Sequence, residues 1–223
     1  MNIEKYIDAD MLAIDVANRI AGDLTVALHN ADRVMLAVPG GTTPGPIFDD
    51  LCAADLDWSR VDVILTDERW VPEDHPRSNT RLVRERLLVN RAAAARMVPL
   101  YGGTAEPEES LERLAAAVEP DLPIAVAVMG MGADMHTASL FPDSPDIAAA
   151  LASDAPILLP VRPESQPEAR ITLSARILNG AIAKHIVFKG QDKMDALQKA
   201  RHLPYTQAPI AAVLSGATVH WTE

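Results

Sequence analysis

Apolar and polar positions follow two rhythms along the 223 residues. Between residues 9 and 30, Met11, Leu12, Ile14, Val16, Ile20, Leu24 and Leu28 recur mostly at three- and four-residue spacing, the period of an amphipathic helix. Elsewhere, apolar runs too short for a helix are bounded by turn residues and read as buried strands. These are Arg33–Val38, Val61–Thr66, residues 124–129, Ile157–Val161, His185–Phe188, Ile210–Leu214 and Thr218–Trp221, with Arg170–Leu173 extended. Helical spacing returns after Pro44 and over Thr80–Val89, where Leu82, Val83, Leu87 and Leu88 form the stripe and Arg81, Arg84 and Arg86 face solvent. It is expected again over Glu108–Val118, over 143–151 with Asp143 or Ser144 as cap, over Ser174–Asn179, and over Lys193–Ala200 with Asp192 as cap. Proline- and glycine-rich stretches at 71–78, 99–107 and 162–167 read as loops. Strands alternating with helices imply one α/β domain over residues 1–223, with three α/β/α layers and a mainly parallel, Rossmann-like central sheet.

Composition narrows the function classes. Hydrophobic residues make up 48% and aromatics 4%, so the core is expected to be aliphatic. A formal net charge of −11 argues against nucleic acid or an anionic membrane as partner, since both require basic surface. An anionic ligand would need cations gathered locally against that background. Cys52 is the single cysteine, so an internal disulfide is excluded. No basic n-region followed by an apolar h-region opens the chain, and no apolar run approaches the ~18 residues of a membrane span. The expectation is a cytoplasmic protein, monomer or dimer.

Three segments carry candidate chemistry. In Met129–Pro142 (MGMGADMHTASLFP), a buried strand breaks at Gly130 and Gly132 and delivers Asp134 and His136 to its carboxyl end, where open α/β sheets bind ligands. An imidazole titrates near neutrality, so His136 is the candidate proton-transfer group and Asp134 its orienting carboxylate. Two ligands on a turn could also begin a metal site, but no further His or Cys completes a set, and none is assigned. Two glycines without a third, and without an acidic residue ending a later strand, do not make a dinucleotide site. The second segment, Pro39-Gly40-Gly41-Thr42-Thr43-Pro44, joins a strand to a helix. It is either an ordinary turn or a phosphate cradle of free N–H groups, hydroxyls and a helix N-terminus, with Thr42 or Thr43 capping the helix. The third, Asp67-Glu68-Arg69-Trp70, places charges just past a strand at the same sheet end. It is either a solvated loop face or part of the site. Arg170 and Lys193 are candidate phosphate clamps or simple surface charge. His29, His75, His185, His202 and His220 lack comparable company and read as structural.

Taken together and in order, Pro39–Pro44, Thr66–Pro72, Ser78-Asn79, Met129–Pro142 and Arg170–Leu173 resemble the 6-phosphogluconolactonases, relatives of the glucosamine-6-phosphate deaminase/isomerases. The resemblance spans most of the chain. It implies hydrolysis of 6-phospho-D-glucono-1,5-lactone to 6-phosphogluconate in the oxidative pentose phosphate pathway, without a cofactor. It further implies His136 as general base and acid and Asp134 as its partner. Asp67 would serve in proton transfer or in geometry. Gly40, Gly41, Thr42, Thr43, Arg69, Arg170 and Lys193 would lie around the 6-phosphate. The family usually has Asp-Gly-His where this chain has Asp134-Met135-His136, and a side chain at 135 is expected to narrow the pocket or shift His136. The deaminases carry a glutamate shortly after the histidine, and here His136-Thr-Ala-Ser-Leu-Phe-Pro142 has none. Regulators with this fold add a helix-turn-helix segment and a basic face, neither of which is evident.

Overall fold

The computed structural model describes residues 1–223. In chain order the strands are β1 Asn2–Lys5, β2 Val34–Val38, β3 Val61–Leu65, β4 Asp67–Arg69, β5 Arg96–Val98, β6 Val126–Gly130, β7 Leu158–Val161, β8 Arg170–Leu173, β9 Ala183–Lys189 and β10 Thr218–Thr222. The α-helices are α1 Ala9–Asn30, α2 Gly45–Leu51, α3 Asn79–Arg86, α4 Leu111–Val118, α5 Ile147–Leu151, α6 Ala175–Asn179 and α7 Gln191–Ala200. Seven strands form one sheet in the order β1-β10-β9-β6-β2-β3-β5, and every neighbouring pair is parallel. The expected parallel α/β architecture is present, with helices flanking the sheet.

The order of strands dictates where a ligand can sit. From β2 the chain moves outward to β3 and β5 on one side, while β6, β9 and β10 lie on the other. The strand order therefore reverses between the adjacent strands β2 and β6, in register at Leu36–Val126 and Ala37–Ala127. That topological switch point opens a crevice in doubly wound sheets. All five residues of β2 and of β3 are buried, as expected for strands covered on both faces. One contiguous core of 60 buried residues runs from Leu12 to Trp221. Helix α1 starts where the Asp8 side chain accepts a hydrogen bond from Met11 N at 2.8 Å, a cap worth about 1 kcal/mol. It buries Leu12, Val16, Ile20 and Leu24, the stripe legible in the sequence.

Several local expectations are corrected. Ile210–Leu214 is not a strand: Pro209–Val213 forms a 3₁₀ turn that buries Ile210 and Val213. A five-residue apolar run is too short to show its period, and Pro209 suits a helical first position. Strands β1 and β5 escape notice because their side chains are mostly exposed or half-buried. Asp67–Arg69 is not a solvated loop but strand β4, paired antiparallel with β8 in a second sheet of order β4-β8-β7. Helix α5 begins only at Ile147, and Asp143 instead accepts from Ser165 N. Helix α7 is entered through Gly190 at φ +102°, with Asp192 inside the first turn rather than at the cap.

Away from the switch point, polar groups link α1 to the sheet edge. The Tyr6 hydroxyl donates to Asp15 at 2.5 Å and lies 2.9 Å from His220 Nδ1. His220 Nε2 is 3.0 Å from His185 Nδ1, and His185 Nε2 is 2.8 Å from Asp23. Burial, then the neighbouring His185 and Arg19 charges, push His220 down to about 3, with Asp15 opposing. Its folded pKa thus lies below the ordinary 6.5, so between these values the unfolded chain binds a proton the native chain rejects. Stability is expected to fall as pH drops through that window, by up to about 1.4 kcal/mol per pH unit for one proton. Urea unfolding between pH ~4 and ~7 checks this: His220→Gln should flatten the slope relative to wild type. Identical slopes would show that His220 does not titrate between the states.

Candidate active site

The carboxyl ends of β2 and β6 open into a cavity of about 260 Å³. Of the residues singled out in the sequence, Gly40, Gly41, Thr42, Thr43, Asp67, Arg69, His136, Arg170 and Lys193 all line it. Asp134 stands behind His136 rather than on the wall.

The His136 side is built by a tight turn. Gly132 N–H donates to His136 O and Met135 N–H to Gly132 O, both at 3.0 Å. A Cβ at Gly132 would come within 2.2 Å of His136 Nδ1 and 2.4 Å of Asp134 Oδ1, so only glycine lets the pair form there. Asp134 Oδ1 sits 2.5 Å from His136 Nδ1 and also accepts from His136 N at 3.2 Å. Burial raises the Asp134 carboxyl, but the His136 hydrogen bond and charge outweigh it and hold the group below its usual value. An ionised Asp134 at Nδ1 fixes the proton on that nitrogen and leaves the Nε2 lone pair free. Phe141 stacks on the imidazole, with ring centroids 4.1 Å apart and planes 20° apart. Met135 does not narrow the cavity: its φ of +69° turns the side chain away from the wall and against the core.

The opposite wall is the Pro39–Pro44 loop. Gly41 has φ +89°, and a Cβ at Gly40 would fall 1.9 Å from Asn79 Oδ1. Neither Thr42 nor Thr43 caps α2, whose N-cap position is Pro44, without a side-chain hydrogen bond. The four N–H groups of Gly40–Thr43 donate to no other backbone group. A run of free amides and hydroxyls at the end of a strand is the composition of an anion cradle. Met131 and Ala138, also on the cavity wall, likewise have backbone N–H groups without an intramolecular backbone acceptor.

Two residues to which the sequence analysis gave no role of their own, Glu68 and Asn79, brace this wall. Glu68 is fully buried and accepts from Arg69 N, Ser78 Oγ, Asn79 N, Thr80 N and Thr80 Oγ1 at 2.8 to 3.1 Å. Burial pushes its carboxyl up, while these donors oppose the shift. It thereby pins the start of α3, and Asn79 Nδ2 reaches back to Asp67 O at 3.0 Å. The Ser78-Asn79-Thr80 triplet, a helix-start signature, was the available signal.

Charge is distributed unevenly around the cavity. Asp67 Oδ2 accepts from Ser139 Oγ at 2.5 Å and from Arg170 Nη1 at 3.4 Å, and Thr66 Oγ1 lies 3.3 Å from Oδ1. Arg170, expected as a phosphate clamp, is 5% exposed and instead pairs with Asp67 and donates to Gln166 Oε1 at 2.6 Å. Arg69 and Lys193 differ, because neither has a carboxylate within ion-pair distance. Arg69 donates through Nη1 to Arg77 O, and its buried Nε has no partner. In a chain of net charge −11, two cations without counter-charge facing one cavity define a site for an anion.

Known proteins with similar sequence or structure bear on this site. The family model described as glucosamine-6-phosphate isomerases/6-phosphogluconolactonase matches residues 7–221. A 6-phosphogluconolactonase of Mesorhizobium japonicum is 45% identical over 221 residues, covering 97% of this chain and 91% of the relative. One from Pseudomonas aeruginosa is 40% identical, covering 92% and 88%. The crystal structure of a 6-phosphogluconolactonase from Shewanella baltica superposes with a TM-score of 0.96 at 32% identity, covering 100% and 98% of the two chains. No helix of this chain is long and apolar enough to cross a membrane.

Proposed function

The chain belongs to the glucosamine-6-phosphate isomerase/6-phosphogluconolactonase family, and from that premise we propose that its cavity hydrolyses 6-phospho-D-glucono-1,5-lactone to 6-phosphogluconate, with His136 moving the proton. One observation carries the reading: an imidazole held by Asp134 through Nδ1 and the Gly40–Thr43 loop with its free amides line the same cavity. The 6-phosphate lies among the Gly40–Thr43 amides, Arg69 and Lys193. The lactone ring then faces His136.

The steps follow from that placement. His136 Nε2 takes a proton from water as the water oxygen bonds to the lactone C1, and the carbonyl becomes a tetrahedral oxyanion. Backbone N–H groups of Met131 and Ala138 are the available donors to that oxygen. The C1–ring-oxygen bond then breaks, and the imidazolium returns its proton to the departing oxygen. Asp134, kept ionised, offsets the imidazolium charge in between. Asp67 serves geometry rather than proton transfer, since Ser139 and Arg170 occupy its Oδ2.

Amino-sugar phosphate deamination is the competing chemistry on this fold. His136 has Asp134 as its one carboxylate partner, and no second acid approaches it. A coupled assay with freshly generated lactone, run beside ammonia release from glucosamine 6-phosphate, separates the two. Hydrolysis above the spontaneous rate with no ammonia is expected, and the reverse would overturn the assignment.

A further inference from the structure

We propose that Phe141 is the positioning residue of the proton-transfer group: its ring fixes the plane of the His136 imidazole and offers its π face to the imidazolium formed during turnover. The inference rests on the hydrolytic reading for its consequence, but on geometry for its content. The hydrogen bond from Nδ1 to Asp134 fixes the direction of one ring atom. It leaves the imidazole free to rock about that contact, and rocking swings Nε2 across the cavity. The face-to-face contact with Phe141, at 4.1 Å and 20°, removes that freedom. Two constraints in different directions aim Nε2, and neither alone does.

Phe141 is suited to this because it cannot itself move. It is 3% exposed and lies between Leu140, which is fully buried, and Pro142. Its ring is also contacted by the Arg170 guanidinium, whose central carbon lies 5.3 Å from the ring centroid. Arg170 is in turn tied to Asp67, Ser139 and Gln166. The ring therefore joins the His136 turn to the buried Asp67–Ser139–Arg170 group, two halves of the site that share no direct hydrogen bond to His136. An aliphatic side chain of similar bulk would fill the same space. It would lack both the flat surface that sets the imidazole plane and the negative π face that favours a cation.

The comparison of Phe141→Leu with Phe141→Tyr tests this against plain packing. Leucine is expected to lower kcat about tenfold with KM within about twofold, because aim is lost and binding is not. Tyrosine should restore kcat to within about threefold. NMR reads the His136 ring without turnover. In the wild type its ring protons should sit upfield of those of an exposed histidine such as His29, from the Phe141 ring current. In Phe141→Leu that displacement should vanish. Unshifted wild-type ring protons, or ring protons that stay upfield in Phe141→Leu, would overturn the proposal even if a variant folds poorly. Failure of the hydrolytic reading itself would appear in the lactone assay and leave these spectra unaltered.

Discussion

Replacing His136 with alanine is expected to lower kcat for the phosphorylated lactone by about 10²–10⁴-fold, the range that a positioned acid–base group supplies. KM should move little, because the anion cradle on the opposite wall is intact and the imidazole contributes mainly in the transition state. The fold should persist: the His136 side chain is 30% exposed, and its removal leaves no buried donor or acceptor unpaired except at Asp134, itself half-exposed. Thermal unfolding and binding of 6-phosphogluconate check that the variant is native. Progress curves must be corrected for spontaneous opening of the lactone. A variant that is folded, binds product and turns over at near wild-type rate would remove His136 from the mechanism. Asp134→Asn is the informative companion. An amide there can present a donor to Nδ1 and so move the proton to Nε2, which leaves no lone pair facing the cavity. Its loss should therefore approach that of His136→Ala, although the side chain keeps its shape.

What the sequence made legible, and what it hid, follows from range of interaction. The β2 and β6 runs and the α1 stripe are local patterns enforced by burial, and both the parallel architecture and the sheet end carrying the cavity could be read from them. The two glycine turns were legible for the same reason, since close approach of Asn79 to Gly40 and of His136 to Gly132 demands a residue without Cβ. The burial and the partners of Asp67-Glu68-Arg69 were hidden. Three consecutive charges look solvated until the partners are known, and those partners lie 10 to 103 residues away: Ser78, Thr80, Ser139 and Arg170. For Arg170, the pairing with Asp67 was hidden for the same cause. Its attraction to phosphate is a property of the guanidinium, but its commitment to Asp67 is a property of the fold. Met135 illustrates the converse. A departure from a motif looked disruptive in one dimension, yet Met135, at a left-handed φ, packs its side chain against the core and off the cavity wall.

The ion pairing of Arg170, against the unpaired Arg69 and Lys193, predicts a split among the three cavity cations. Lys193→Ala and Arg69→Ala should each raise KM for the phosphorylated lactone by about 10- to 100-fold, the loss of one charge-assisted contact of ~1.5–3 kcal/mol. Both should leave an unphosphorylated δ-lactone within about twofold, because neither residue faces the reacting carbon in the proposed pose. The effect should be large because nothing else in the protein neutralises these groups. Lys193 sits in the first turn of α7, and neither it nor Arg69 has a carboxylate partner, so both meet the anion without first breaking an ion pair. Arg170→Ala should behave differently, lowering kcat on both substrates. It strips Asp67 of its buried counter-charge and Phe141 of its guanidinium neighbour, and so disturbs the side of the cavity where bonds break. Steady-state kinetics on the paired lactones distinguish the outcomes. Equal losses on both substrates for Lys193→Ala and Arg69→Ala would place the phosphate elsewhere. A purely KM-based, phosphate-dependent loss for Arg170→Ala would return that residue to the clamp and make its pairing with Asp67 a resting arrangement that substrate displaces.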